Sequence, residues 1–326
     1  MISRLPCRAA GSPYGGRLCP FRATRTEKWA TGKLQPAAEK EFTLERMPSR
    51  AVTWNLYNGG LDNNGQDDRR FQTQGEILAD LAPDVLCLPE ATWWHEDGDK
   101  RLDQMAERLG MRPVAMVRSR LGTPPNPNNT ALLYRPTVLE LVDWRHLGAD
   151  IFHHALIYAH LRPRGTSDDS RDFFVLATHL SWRHGDARLD EVRGWMTDYA
   201  GDFAGIPSRG MLIGDLNVPD RRPPSWTFVP PHLHARYRQV LPDGAFGDVD
   251  QRALRVLIES GWQDPQTLTG QRRAPTVGYY YPNEPVYWCL DHALLKGMPA
   301  SEYFTHDTPE ARAASDHLPV VLDTVI

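Results

Sequence analysis

Eight polar residues punctuate otherwise apolar runs in this chain of 326 residues. Asn55 closes Val52-Thr53-Trp54, Glu90 follows Val85-Leu86-Cys87-Leu88-Pro89, and His179 closes Phe174-Val175-Leu176-Ala177-Thr178. Asp215 and Asn217 follow Met211-Leu212-Ile213-Gly214, Asp291 interrupts the run from Val286 to Leu295, and Asp316-His317 precede Leu318-Pro319-Val320-Val321. A polar group in an apolar strand is costly unless partnered, so six such runs point to groups that partner one another or a ligand. Taken one at a time, each has a plainer explanation: Asn55 as a turn residue, Glu90 or Asp215 as a cap, His179 as a satisfied buried histidine.

The residue types suit one chemistry. Mg²⁺ prefers one or two carboxylates and takes further ligands from water and phosphate oxygens, and Glu90 with Asp316 can supply the carboxylates. A phosphate ester therefore fits better than a peptide. Asp215 and Asn217, two apart in an extended segment, would face one side, one for a water and the other for a phosphate oxygen. Asp291 would orient and charge-stabilise His317, as the acid of a triad does for its base. His179 would donate to the phosphoryl oxygens or the leaving group.

Elements must bring these ends together. Strands are expected at Ala51–Leu56, Asp84–Leu88, Pro113–Val117, Ala131–Tyr134, Val138–Asp143, Ala155–Leu161, Phe173–Thr178, Met211–Ile213, Trp288–Leu295 and Pro319–Asp323. Apolar residues at 3 and 4 spacing predict helices over Asp68–Leu81, Arg101–Leu109, Leu189–Phe203 and Val249–Ser260, with Gly110 and Gly261 as C-terminal caps. No repeat of 20 to 50 residues is present, which excludes solenoids and propellers. Helices after early strands, consecutive strands in the middle and later helices predict two packed sheets with helices on their outer faces.

Composition bounds the rest. Hydrophobic residues at 41% and charged residues at 24% are ordinary globular usage, and no apolar run is long enough to span a membrane. Four scattered cysteines, Cys7, Cys19, Cys87 and Cys289, make no disulfide framework or paired zinc motif, and no apolar run of leader type follows Arg4 and Arg8; a cytoplasmic protein is expected. Residues 1–46 hold nine basic and four acidic groups, net +5, whereas the remaining 280 hold 28 and 37, net −9. The first 46 residues lack apolar periodicity and are expected to be a disordered extension before a single domain over 47–326, with a nucleic-acid arm or transit sequence as the functional alternative. The acidic body weighs against tight duplex binding. Within the Pro-rich stretch 219–248, Trp226, Arg236 and Arg238 interleave aromatic and cationic side chains in a way that suits a polyanion with bases, although a solvated insertion explains them equally well.

Six motifs carry a resemblance: T-W-N (Asn55), P-E (Glu90), T-H-L (His179), G-D-L-N (Asp215, Asn217), L-D-H (Asp291) and S-D-H-L-P-V (Asp316, His317). In this order the set resembles the endonuclease/exonuclease/phosphatase superfamily, also called DNase I-like, and 129–135 is similar to that family's central strand. The resemblance implies a four-layer α/β sandwich of two packed, mainly antiparallel sheets flanked by helices, and divalent-metal phosphoesterase chemistry at one edge of the two sheets. It implies Glu90 as a principal ligand of Mg²⁺ or Mn²⁺, with Asn55 and Asp316 near the metal. His317, paired with Asp291, and Asp215 would activate or orient the water, the choice of base remaining open, while Asn217 and His179 would bind the phosphoryl group. Pro89 stands where many members have Gln, and His292 where many have Tyr; neither change removes a catalytic group.

The leading expectation is a metal-dependent hydrolase of a phosphodiester or phosphomonoester, acting as a monomer on a phosphate-ester partner that includes nucleic acid among its candidates. A sphingomyelinase-like lipid or small-molecule phosphodiesterase is the alternative, along with a non-catalytic binding module, which would be expected to have lost one of the eight positions. A lipid substrate would want an exposed apolar hairpin, for which Tyr279-Tyr280-Tyr281 is the candidate, although rim or core packing explains it better. A zinc site from His153, His154 and His160, or from His232 and His234, lacks a familiar ligand set; surface or packing roles explain these histidines more simply.

Overall fold

Successive side chains of a strand face opposite sides, so strands that are apolar on both sides must be covered on both. The computed structural model describes residues 47–63, 65–120 and 127–326. Its first half contains β1 (Pro48–Thr53), α1 (Arg69–Leu81), β2 (Val85–Leu88), α2 (Lys100–Leu109), β3 (Arg112–Arg118), β4 (Asn129–Tyr134), β5 (Leu139–Leu147) and β6 (Ala155–Pro163). There follow β7 (Phe173–His179), α3 (Gly185–Glu191), β8 (Gly210–Asp215), α4 (Pro231–Tyr237), β9 (Arg238–Val240), β10 (Phe246–Val249) and α5 (Arg252–Glu259). The chain ends with α6 (Pro265–Thr269), β11 (Asp291–Lys296), β12 (Ala300–Thr305), α7 (Pro309–Ala314) and β13 (Val320–Val325). All described residues fall within one compact unit, Glu45–Ile326. The extension 1–46, expected to be disordered, lies outside the described residues.

One sheet has the order β12-β13-β1-β2-β4-β3, the other β11-β8-β7-β6-β5, and β9 with β10 forms a separate ribbon. Each large sheet is antiparallel except for one parallel pair, β1/β2 in the first and β7/β8 in the second. Alternation then sorts the layers. Ala51, Val85, Cys87 and Leu132 pack between the sheets against Ile157, Val175, Ala177 and Ile213. Their neighbours Val52, Leu86, Leu88 and Leu133 face Phe71, Leu78, Leu102 and Met105 of α1 and α2. Leu156, Tyr158, Leu176 and Leu212 turn the other way, onto Val192, Met196, Leu257 and Trp262. The result is the helix–sheet–sheet–helix sandwich, each buried aliphatic side chain stabilising it by about 1.5–3 kcal/mol.

Three expectations need correction, and one strand was not anticipated. The helix expected over 189–203 is broken: α3 ends at Glu191, and Gly194 takes φ 99, ψ −110 inside the irregular turn Val192–Met196. The strand expected over 288–295 starts only at Asp291, because Trp288 instead accepts backbone bonds from Thr276 and Val277. β12 escapes notice because it is an edge strand with only Tyr303 and Thr305 buried. The Pro-rich stretch 219–248 is not all loop, since Pro230 and Pro231 open α4, where a missing N–H costs nothing, and the ribbon follows.

Candidate functional site

Strand direction decides which ends meet. β1 and β2 run parallel, so Asn55 and Glu90 leave the first sheet on the same edge. β7 and β8 also run parallel, with His179 directly opposite Asp215. β11 is antiparallel to β8 and pairs Asp291 with Asp215, so its first residue meets the last of β8. β13 is antiparallel to β1, with Val320 opposite Thr53, which brings Asp316 and His317 to that edge from a strand start. Seven of the eight line one cleft of about 620 Å³. The eighth, Asp291, is fully buried behind His317.

Hydrogen bonds tie the group together. His317 Nδ1 lies 2.7 Å from Asp291 Oδ2, and His317 Nε2 lies 3.9 Å from Asp215 Oδ2. Asn55 Nδ2 donates to Asp215 Oδ2 at 3.0 Å and to Glu90 Oε1 at 3.3 Å, while the Asn58 N–H donates to Glu90 Oε2 at 3.2 Å. His179 Nε2 is 3.5 Å from Asp215 Oδ2. The loop before β13 is fastened to the first sheet: Ser315 Oγ donates to the Asn55 carbonyl at 2.7 Å, and Trp54 Nε1 to the His317 carbonyl at 2.9 Å.

The segment after β8 corrects another expectation. Asp215 and Asn217 both line the cleft, but not as neighbours on an extended strand. Asn217 is left-handed, φ 52; its N–H donates to Asp215 Oδ1 at 2.8 Å, and its Nδ2 donates to the Leu180 carbonyl at 3.1 Å. An Asp side chain that accepts from the backbone two residues on makes a tight turn that Asn tolerates. Glu90 is left-handed too, φ 57, and backbone held this way is characteristic of working sites.

Burial sets the charges. Asp215 is pushed up to about 7, by burial first and then by the charge of Asp291, against the pull of His317. Asp316 rises to about 6, by burial and by Glu90 beyond the opposing effect of His317. Burial works to lower His317, but Asp291 and Asp215 overcome it and hold the imidazole well above its ordinary value. His179 falls to about 3, through burial and then the charge of His317, and is therefore neutral. Glu90, Asp316 and Asn55 offer hard oxygen donors, while Asp215, Asp291 and His317 bring ligand atoms within 4.8 Å of one another. Two carboxylates that feel each other's charge, Glu90 and Asp316, lining one cleft beside the Asn55 amide, fit a hard divalent cation.

Of the three substrate-binding candidates in 219–248, only Arg236 lines the cleft. The structure corrects the placement of the other two: Arg238 donates to the carbonyls of Gly247 and Phe246 and covers the ring of Trp226, which packs on Trp288. Sequence reading also passed over the wall beside His179. Ala155 pairs with His179, so the preceding His154 stacks on it at 3.9 Å and 6°, and His153 and Trp182 continue the wall. Neither zinc grouping forms among the described residues: His160 instead pairs with Asp172, and His232 with Glu284. Tyr280 and Tyr281 line the cleft, while Tyr279 packs against the first sheet's outer core. The adjacent histidines and Leu180-Ser181-Trp182 were the only sequence signals for this wall.

A family model described as the endonuclease/exonuclease/phosphatase family matches residues 52–317. No curated protein matches the sequence. Among solved structures, the human Nocturnin catalytic domain with bound sulfate aligns with a TM-score of 0.58 at 17% identity, covering 86% of this chain and 95% of that one. ANGEL2, a 2',3'-cyclic phosphatase, aligns at 0.57 and 14%, covering 86% and 96%. A mannosyl-6-phosphatase from Bacteroides thetaiotaomicron aligns at 0.56 and 16%, covering 85% and 100%. At these identities the likeness establishes the fold.

Proposed function

Because the chain belongs to the endonuclease/exonuclease/phosphatase family, we propose that it is a Mg²⁺- or Mn²⁺-dependent phosphoesterase that cleaves a phosphodiester or phosphomonoester by in-line attack of water. One observation carries the reading: eight polar residues from both sheets gather at a single edge, and no catalytic type is missing among them. Glu90 and Asp316, with Asn55 beside them, would hold the metal, whose charge would help stabilise the phosphoryl oxygens. Asp215 takes the proton of the attacking water, since a base near neutral pKa combines availability with driving force. His317, cationic and oriented by Asp291, stabilises negative charge that develops on the phosphoryl group. Neutral His179 donates to the same group, and the Asn217 backbone N–H keeps Asp215 in place. Arg236 is the cation on the wall that meets the rest of the substrate.

The acidic body supports a small or single-stranded phosphate ester over long duplex DNA. The test is hydrolysis of bis-(p-nitrophenyl) phosphate, p-nitrophenyl phosphate and plasmid DNA with Mg²⁺, Mn²⁺ or EDTA. The expected outcome is metal-dependent turnover that drops by more than about 100-fold in His317→Ala and Glu90→Ala. Turnover that persists in EDTA, or unchanged in the folded variants, would overturn it.

A further inference from the structure

The wall of the cleft beside His179 is built with more buried charge than a packing surface needs. Arg188 and Glu191, one helical turn apart on α3, are 0% and 3% exposed. Arg188 Nη1 donates to the Ser181 carbonyl at 3.2 Å and Nη2 to the Arg236 carbonyl at 2.6 Å. Glu191 accepts from the Ser181 N–H at 2.7 Å and from the His153 N–H at 2.6 Å. Burying such charges is expensive, and replacing them with apolar groups often leaves stability unharmed, so their value lies in what they hold in place. They hold three separate segments: the one with His153, the one with Trp182 and the end of α4 with Arg236.

What they hold is an aromatic and a cation. Trp182 is 48% exposed, about as much as Trp144 and Trp195, but unlike them it lines the cleft. The Arg236 guanidinium sits 5.1 Å from the centre of its ring. Arg236 forms no ion pair with any carboxylate among the described residues, even though Glu90, Asp215 and Asp316 line the same cleft. Trp182 is three residues beyond His179, so the chain itself keeps it within about 10 Å of that histidine. An exposed indole coupled to an uncompensated guanidinium suits a planar heterocycle joined to a phosphate: the ring stacks, and the cation takes charge or carbonyl groups.

We propose that Trp182 and Arg236 form a nucleobase subsite, so that the substrate of the cleft is a phosphate ester carrying a nucleoside rather than a sugar or lipid group alone. This rests on the phosphoesterase reading above. Stacking one base is expected to favour a nucleoside ester by about 5- to 150-fold. Trp182 acts on specificity and touches no reacting atom.

The test compares kcat/KM for thymidine 5′-(p-nitrophenyl phosphate) and methyl p-nitrophenyl phosphate, which share a leaving group and differ only in the base-bearing part. The wild-type protein is expected to prefer the thymidine ester at least 5-fold, mainly through KM. Trp182→Ala should bring the ratio close to one, and Trp182→Phe, which restores a ring, should recover most of it; thermal melting checks that both fold. Competition by dTMP and by single-stranded oligothymidylate then assigns the base to a mononucleotide or to a strand, and inhibition by either above that of methyl phosphate supports the subsite. Hydrolysis of both esters at equal efficiency, or an unchanged ratio in folded Trp182→Ala, overturns the subsite and leaves the phosphoesterase standing. Hydrolysis of neither ester overturns both.

Discussion

The charge on His317 comes from its neighbours: Asp291 holds one ring nitrogen at 2.7 Å and Asp215 lies 3.9 Å from the other. Replacing Asp215 by Asn keeps the shape of this corner and removes the base, so kcat is expected to fall about 10²- to 10⁴-fold with the circular dichroism unchanged; a loss below tenfold would assign the base elsewhere. The same charges give the metal-free protein a pH signature. Asp215 and Glu191 are pushed up to about 7, and His317 is held above its ordinary value. Groups raised above their unfolded values favour folding below those values and lose that contribution as pH rises through the folded ones. Buried histidines held low, such as His154 and His179, act the opposite way while their unfolded counterparts still carry protons, which ends about one unit above pH 6.5. Melting of the metal-free protein should therefore fall from about pH 7.5 to 9, chiefly through His317, and Mg²⁺ should raise it more at about pH 7.5 than at about pH 5.5, where Asp316 is protonated. A metal-free melting temperature that climbs across this window would contradict these assignments.

Among the elements, the parallel pair β7/β8 carries the tightest constraint. Gly214 pairs with Thr178 at φ 150, and a Cβ there would stand 1.8 Å from the Thr178 carbonyl oxygen. Gly214→Ala must push the strands apart next to His179 and Asp215, costing about 1–3 kcal/mol of stability and lowering activity together with it. Urea unfolding and bis-(p-nitrophenyl) phosphate hydrolysis check this; a stable, fully active variant would show that the pairing tolerates the shift. Long periodic elements such as α1, α2 and β7 were readable because burial of one face or both leaves its period in the sequence. β12 and the break at Gly194 were not readable, since an edge strand needs few apolar residues and a backbone reversal needs only one permissive glycine.

Across the whole molecule, the site belongs to neither sheet alone. Asn55, Glu90, Asp316 and His317 come from the first, and His179, Asp215 and Asp291 from the second, so the inter-sheet core sets their spacing. Ile157→Ala, in that core, should cost about 2–5 kcal/mol, and activity and far-UV signal should vanish together along a urea titration. Activity lost well before the fold would mean that the sheets move independently. The eight polar residues, their place at the ends of apolar runs and the layered fold were determined by the sequence itself, because burial and alternation act between near neighbours in the chain. Which ends share an edge was decided only by tertiary structure, since parallel and antiparallel pairing join residues far apart in sequence. So it was with the arginines: Arg236, ending α4, lines the cleft, while Arg238, beginning β9, turns to the ribbon. His153, His154 and Trp182, unremarkable in a line of letters, become the wall of the site because β6 pairs with β7 and α3 holds what flanks them.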